Sequence, residues 1–197
     1  MPDSDAAHDR RPVIVVCGYD PDDAVWDPVE DLSGALWSPS GARAVHVEGD
    51  APDRLFEALS LHMGDRRCRA LLLVGRGPSE GGFSLQMRAE NLSLDGEGRL
   101  DPALPGLARA TLPVSEMVRA LAAAGLPARA TSEAGRDAGS YLLFRILAGL
   151  PDVTETPAVG LLRVPDDADE AQARQAVKAA VSAVAAQLPP LPRAAVA

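Results

Sequence analysis

Apolar runs of five or six residues recur along this chain and predict the strands of a sheet. VIVVC at residues 13–17 and ALLLV at residues 70–74 contain no polar residue, which is typical of strands buried on both faces. The predicted strands span residues 13–17, 43–47, 70–74, 126–131 and 159–164. A weaker alternation between Phe83 and Leu94 predicts a hairpin-like excursion.

Stretches between the strands have the three- and four-residue spacing of amphipathic helices. They predict helices over residues 28–37, 52–63 and 113–124, then a helix that ends near Leu150, and a last helix over 167–188. Asp27 and Asp50 are predicted to cap the first two helices, and Asp137 or Ser140 the fourth, because a short polar side chain accepts hydrogen bonds from the first turn. Gly125 predicts the end of the third helix.

The alternation of strands and helices predicts an α/β fold, with a largely parallel sheet covered by helices on both faces. We expect residues 12–188 to form a single domain, with disordered segments at 1–11 and 189–197. In such sheets, functional groups gather at the carboxyl ends of the strands. The loops at those ends are residues 18–23, 75–82, 131–141 and 163–165.

The charge balance of the chain limits the classes of partner that this protein can bind. The 197 residues include 28 acidic and 19 Lys or Arg side chains, for a formal charge of −9, whereas a nucleic-acid surface needs clustered positive charge. No apolar stretch approaches the roughly 18 residues of a membrane span. Residues 1–11 also lack the apolar centre of a signal peptide. We therefore expect a cytoplasmic protein that binds neither nucleic acid nor membrane.

Two cysteines cannot form a disulfide framework and are typical of a reduced protein. Cys17 lies in an apolar run, where burial favours the neutral thiol. Cys68 lies beside Arg66, Arg67 and Arg69, which favour the thiolate. We therefore expect thiol reagents to label Cys68 faster than Cys17.

Candidate groups for catalysis, metal binding or cofactor binding are sparse. A nucleophilic Cys or Ser needs a base within reach. However, His8 lies in the N-terminal segment, His46 in a strand and His62 near the end of a helix. The loop GRGPSEGG has neither the spacing nor the lysine of a P-loop. No cluster of His, Cys, Asp or Glu has metal-ligand spacing, so the sequence predicts no metal and no cofactor.

Six short motifs, in order, resemble the pyroglutamyl peptidase I family, cysteine peptidases that remove an N-terminal pyroglutamate. The first, GYDP at residues 18–21, is similar to the family's GFEPF opening. The others are DPVEDLSGAL from Asp27, VGRGPSEGGFSLQMRAEN from Val74, TLPVSEMVRALAAAGLPA from Thr111, DAGSYLL from Asp137 and GLLRVP from Gly160. The resemblance implies a three-layer α/β/α sandwich with a mostly parallel, mixed sheet. It leaves open whether this chain forms a homo-oligomer.

The same resemblance implies that the catalytic chemistry is missing. In the family a Cys attacks, a His acts as its base and a Glu orients that His. The matching positions are Leu143, Arg163 and Gln86. Leucine is not a nucleophile, and a guanidinium stays protonated and cannot accept a proton. We therefore expect no catalytic residue at these positions, and we expect all three to lie side by side at the carboxyl edge of the sheet.

The pocket positions differ as well. The second Phe of GFEPF, which lines the pyroglutamate pocket in the family, corresponds to Asp22, and the Arg of its GGR segment corresponds to Glu80. A carboxylate in place of an aromatic wall disfavours a neutral lactam, because the charge would lose its water. Asn91, Gly139 and Tyr141 match the family.

Two functions remain open from the sequence. The first is a catalytically inactive, pyroglutamyl-peptidase-like pseudoenzyme that binds a protein partner or a small ligand. Its candidate ligand-binding residues are Tyr19, Asp22, Glu80, Gln86, Asn91, Ser140 and Arg163. In this case Arg163 would contact either an anion or a carboxylate of Asp22, Glu80 or Glu90.

The second function is a redirected hydrolase on the same scaffold. Ser132 or Ser140 would be the nucleophile, with Glu133, Glu90 or Asp137 as the base. A serine without a nearby His or Lys is more often a cap or a turn residue. The sequence names no ligand and no partner for either function.

Overall fold

The computed structural model describes residues 11–19, 37–47, 49, 51–77, 81–95, 97–150 and 155–189. In chain order its elements are β1 (Val13–Gly18), β2 (Arg43–Val47), α1 (Pro52–Met63), β3 (Cys68–Arg76), β4 (Phe83–Gln86), β5 (Arg88–Glu90), β6 (Leu107–Arg109), α2 (Val114–Ala123), β7 (Ala128–Thr131), α3 (Ala138–Gly149), β8 (Ala158–Val164) and α4 (Glu170–Gln187).

Six of the strands form one mixed sheet in the order β2-β1-β3-β8-β4-β7. Strands β2, β1, β3 and β8 are parallel to one another, and β4 is parallel to β7. The pairing of β4 with β8 is antiparallel. Strands β5 and β6 pair with each other in a separate two-stranded sheet. This arrangement confirms the predicted α/β fold.

Helices cover both faces of the sheet because the central strands are apolar on both sides. Ile14 and Val16 contribute to one buried cluster, which α2 and α4 cover with Met117, Val177 and other side chains. Val15 and Cys17, which alternate with them, belong to a second cluster under α1 and α3. Residues of a strand point to alternate faces, so a continuous apolar run supplies both layers of the core.

Most predicted elements are confirmed to within a few residues. Helix α1 begins at Pro52 and ends at Met63 as predicted, but its N-cap position is Ala51, which makes no side-chain cap. Gly125 follows α2 and has a positive φ of 77°, as expected for the glycine that ends a helix. Asp137 is the N-cap of α3. Residues 28–36 of the predicted first helix and the predicted caps Asp27 and Asp50 lie outside the described residues.

The prediction of a hairpin-like excursion between Phe83 and Leu94 is wrong. Strand β4 is part of the main sheet, between β8 and β7, and β5 pairs with β6 instead. The physical reason is that β4 is buried on both sides: Phe83 and Leu85 pack in the core, while Ser84 and Gln86 are also buried. Ser84 and Gln86 alternate with apolar residues, which is the pattern of a strand with one exposed face, but both polar side chains are buried.

Candidate functional site

A buried arginine lies at the carboxyl end of β8 and organises a polar cluster. Arg163 is 5% exposed. Its Nε and Nη2 atoms donate to Oε1 of Gln86 at 3.0 and 2.9 Å. Its Nη2 atom also lies 2.9 Å from Oγ of Ser140 and 2.9 Å from each carboxylate oxygen of Asp137. Its Nη1 atom donates to the hydroxyl of Tyr19 at 3.3 Å. The guanidinium is thus held by β4, by the start of α3 and by the residue that follows β1.

Gln86 has both of its amide hydrogens and its oxygen committed inside this cluster. Its Nε2 atom donates to the carbonyl of Arg88 at 2.7 Å and to Oγ of Ser140 at 3.0 Å. Its Oε1 atom accepts from Arg163 and, at 3.2 Å, from the hydroxyl of Ser140. A buried amide that is satisfied at every position is a rigid structural group.

The start of α3 supplies the counter-charge. Asp137 is the N-cap: its side chain accepts from the backbone N–H of Ser140 at 2.9 Å, as expected for a short acidic residue before a helix. The same carboxylate is the ion-pair partner of Arg163, and it is 37% exposed. One side chain therefore both starts the helix and neutralises the buried cation.

Glycines allow the close approach of the groups around Arg163. A Cβ atom at Gly77 would lie 2.7 Å from Nη1 of Arg163, and one at Gly135 would lie 2.2 Å from a carboxylate oxygen of Asp137. Real Cβ atoms essentially never come so close. The loops after β3 and β7 can therefore pass the guanidinium only because these two positions have no side chain.

The ring of Tyr19 is enclosed in the same way. A Cβ atom at Gly75 would lie 2.2 Å from the ring, and one at Gly139 would lie 2.5 Å from it. The Tyr19 hydroxyl accepts from Arg163 and lies 3.5 Å from the carbonyl of Arg76. Tyr19 thus packs between β3 and α3, with its polar end at the arginine.

The described residues beside this cluster line a small cavity. It has a volume of about 10 Å³, room for one water molecule, and lies next to Asp137, Ser140 and Tyr141. Gln86, Ser140, Arg163 and Tyr19 are buried and satisfy one another's hydrogen bonds. These hydrogen bonds hold the members of the cluster in place, and the Ser140 hydroxyl donates to the amide oxygen of Gln86, which is not a base.

The structure brings together four of the seven candidate ligand-binding residues, namely Tyr19, Gln86, Ser140 and Arg163. Asn91 is committed elsewhere: its Nδ2 atom donates to the carbonyl of Asp101 at 2.7 Å and its Oδ1 atom accepts from the N–H of Asp101 at 3.1 Å. It therefore holds the loop before β6. Asp22 and Glu80 lie outside the described residues.

Leu143 lies one turn beyond Ser140 on α3. It is fully buried and belongs to the apolar cluster under α1 and α3, not to the polar network. Glu90, a predicted partner for Arg163, instead lies 3.8 Å from a guanidinium nitrogen of Arg88. Asp137 was predicted only as a helix cap or as a base. Its position directly before the helix that carries Ser140 is the signal that could have identified it as the partner of Arg163.

Both cysteines are buried, so the interpretation of Cys68 as a thiol that its neighbouring arginines ionise is wrong, whereas its labelling rate relative to that of Cys17 stays a prediction. Burial raises the pKa of Cys17 to about 12. Burial, followed by the nearby carboxylate of Asp65, also raises the pKa of Cys68 to about 12. The neighbouring arginines do not offset this rise in pKa, because burial is its largest cause and Arg67 pairs with Asp65.

Cys17 and His46 do not form a catalytic pair. Cys17 packs under α1 and α3, whereas His46 lies opposite Val16, whose side chain faces α2 and α4. The two side chains therefore lie on opposite faces of the sheet. Across the residues that the structure describes, no three His, Cys, Asp or Glu side chains come together as a metal site. Nor does any helix in those ranges have the length and apolar character to cross a membrane.

The fold is similar to solved pyroglutamyl peptidases. Pyrrolidone carboxyl peptidase from Thermus thermophilus matches with a TM-score of 0.67 and 23% identity, over 86% of this chain and 98% of that one. Pyroglutamyl peptidase I from Bacillus amyloliquefaciens gives a TM-score of 0.70 and 16% identity, over 89% and 95%. A mutant pyrrolidone carboxyl peptidase from Pyrococcus furiosus gives 0.67 and 16%, over 90% and 100%.

No protein-family model and no curated protein sequence matches this chain. The structural matches share less than a quarter of their residues with it, so they show the fold alone. The chain has the mixed α/β architecture of these peptidases across most of their length.

Proposed function

We propose that this protein is a pyroglutamyl-peptidase-like pseudoenzyme, which keeps the peptidase scaffold for binding and does not hydrolyse pyroglutamyl peptides. The observation that carries the proposal is Arg163. It occupies the position where the motif resemblance expects the catalytic His, and Gln86, Ser140 and Asp137 hold it in place. A guanidinium can donate to all of these groups but cannot accept a proton from a nucleophile.

The nucleophile is absent from its expected position too. The motif resemblance aligns Leu143 with the family's Cys, and the Leu143 side chain is part of the core. The cysteines that the chain does have lie elsewhere and, with pKa values raised to about 12, remain thiols near neutral pH. The thiolate is the reactive form, so neither can replace the missing nucleophile.

No observation favours the redirected hydrolase. An attacking serine must pass its proton to a base. The Ser140 hydroxyl instead donates to the neutral amide oxygen of Gln86 and accepts from Arg163. Asp137, one of the candidate bases, accepts from the N–H of Ser140 and pairs with Arg163. Both groups are used to hold the helix and the cation.

The hydrogen bonds among Tyr19, Gln86, Ser140 and Arg163 therefore favour a structural role for these four candidates over a ligand-binding role. Their hydrogen bonds are made within the protein, and the neighbouring cavity holds about 10 Å³. Binding of a partner or a small ligand is expected to use another surface of the scaffold.

The proposal is tested with two probes that report on the two functions. Purified protein is incubated with a pyroglutamyl-anilide and, separately, with a fluorophosphonate that labels activated serines. The Bacillus peptidase and a serine hydrolase are the positive controls. We expect neither anilide release nor labelling. Anilide release that survives repurification would contradict the pseudoenzyme, and labelling that is lost in Ser140→Ala would establish the redirected hydrolase instead.

A further inference from the structure

A second cavity lies at the opposite end of the sheet from Arg163. It has a volume of about 300 Å³, and its walls include Arg69 near the start of β3, Ala158 at the start of β8 and Gln187 at the end of α4. This volume is at the lower end of the range for small-molecule sites. The cavity shares no residue with the cluster around Arg163, so an inference drawn from it does not depend on the proposed function.

An irregularity in the pairing of β1 with β3 sets the direction of the Arg69 side chain. Val13 of β1 pairs with Cys68, and the next residue, Ile14, pairs with Ala70. Arg69 is thus the extra residue of a bulge and has no partner on β1. Bulges re-aim a side chain out of the regular alternation, and they recur beside functional sites.

The guanidinium of Arg69 has unused hydrogen-bonding capacity. Its side chain is 13% exposed, and Nη1 lies 3.2 Å from a carboxylate oxygen of Glu155. Within the described ranges, however, this buried Nη1 atom makes no hydrogen bond, because the contact with Glu155 has the distance of an ion pair without the geometry of a hydrogen bond. A guanidinium that lines a cavity and makes no hydrogen bond to the described residues favours a ligand that supplies an acceptor.

The remaining walls combine a few polar groups with an apolar surface. The hydroxyl oxygen of Thr111 accepts from the N–H of Val159 at 2.8 Å, which leaves the hydroxyl hydrogen to donate. Thr156 and Gln187 are exposed polar residues of the wall. The apolar part of the lining is Pro113, Ala158, Val184 and Leu188. A ligand that fits these walls has one hydrogen-bond-accepting end and a small apolar body.

We propose that this cavity binds a small monocarboxylate with an apolar body, such as hexanoate or benzoate. The planar carboxylate matches the fork of the Arg69 guanidinium, which a carboxylate contacts with two parallel hydrogen bonds. Glu155 is 50% exposed and lies against the same guanidinium, so its charge opposes a second negative charge on the ligand. The site therefore selects a monoanion over phosphate.

The proposal is tested on the whole chain by a ¹⁵N–¹H NMR titration with hexanoate, benzoate, hexanamide and inorganic phosphate. We expect saturable shifts for the two carboxylates at the backbone amides of Thr111, Ala158 and Gln187, and none at Gln86 or Ser140. Hexanamide, which has the same body without the charge, and phosphate are expected to bind at least about tenfold more weakly.

The variant Arg69→Met is expected to weaken hexanoate binding by at least about tenfold, whereas Arg119→Met, at an exposed arginine of α2, leaves it unchanged. Equal shifts with hexanoate and hexanamide would overturn the proposal, because they would show a purely apolar contact. Saturation by phosphate with equal affinity would overturn it too, and so would the lack of saturable shifts on the wild-type chain. These comparisons on the wild-type protein hold even where Arg69→Met does not fold.

Discussion

Arg163 and Gln86 are 77 residues apart in the chain, yet two nitrogens of Arg163 donate to the same amide oxygen of Gln86. The register of the antiparallel pair β4–β8 explains this contact. Gln86 lies opposite Leu161, two residues before Arg163, so Gln86 and Arg163 are diagonal neighbours on the same face. Their contact therefore follows from the single antiparallel pairing in an otherwise parallel sheet.

The first prediction concerns the stability that this contact provides. Arg163→Met is expected to lower the free energy of unfolding by about 3 kcal/mol, because it leaves buried acceptors on Gln86 and Ser140 without their cation. Urea unfolding followed by circular dichroism measures the change. The matched control is Arg129→Met, at an exposed arginine of β7, with an expected change below about 0.5 kcal/mol.

The variant Asp137→Asn, measured in the same experiment, removes the ion pair with Arg163 but keeps the helix cap. Asparagine keeps an oxygen for the N–H of Ser140, so α3 still has its cap and only the ion pair is lost. Since Asp137 is 37% exposed, we expect a smaller loss of stability than for Arg163→Met.

Equal stability of Arg163→Met and Arg129→Met would show that the cluster does not stabilise the fold.

The second prediction concerns the space around Tyr19. Gly139→Ala places a methyl group 2.5 Å from the ring, so the ring must move or α3 must shift. We expect a loss of about 1–3 kcal/mol in the free energy of unfolding, together with a change in tyrosine fluorescence. The control Gly98→Ala meets nothing within 4 Å and is expected to be neutral. A neutral Gly139→Ala would mean that Tyr19 does not pack against α3.

The third prediction concerns thiol reactivity. Both cysteines are buried and their pKa values are raised to about 12, so at pH 8 only about one thiol in ten thousand is ionised. We expect almost no reaction of the native protein with a disulfide reagent, and rapid reaction of two thiols per chain in denaturant. Fast labelling of Cys68 in the native protein would contradict the burial of β3 at its start.

The fourth prediction concerns alkaline pH. Each folded-state thiol pKa, about 12, lies above the ordinary value of 9.0, so the folded protein retains protons that the unfolded chain releases. The resulting stability is fully present below pH 9 and is lost as the pH rises from 9 towards 12. Urea unfolding at pH 8 and pH 10 should show this decline. The double variant Cys17→Ala, Cys68→Ala is expected to show a shallower decline, and an identical slope would contradict the shifted pKa values.

The sequence predicts the apolar framework of the fold well. Runs such as residues 13–17 and 70–74 must be buried whatever surrounds them, and their length suits strands. The amphipathic spacing of residues 52–63 likewise predicted both ends of α1. These features depend on local patterns, which a single sequence displays directly.

The polar cluster was predicted only in part, because its contacts are between residues far apart in the chain. The motif resemblance indicated that Gln86 and Arg163 would lie together, and they do. It did not indicate Asp137 as the partner of Arg163, because its role as a cap already explained that residue. The burial of Cys68 was missed for a related reason: two of its three neighbouring arginines, Arg67 and Arg69, lie against carboxylates, and the Cys68 thiol packs in the apolar core.

The central claim, that Arg163 in place of a base leaves this scaffold without peptidase chemistry, is tested most directly by one measurement. The rate of release of 7-amino-4-methylcoumarin from its pyroglutamyl amide is measured for the wild-type protein, for Arg163→Met, for the Bacillus peptidase and for buffer alone. We expect the rates for the wild-type protein and for Arg163→Met to match that of buffer, while the Bacillus enzyme turns over the substrate. Release above buffer that coelutes with the wild-type protein through two chromatographic steps would contradict it.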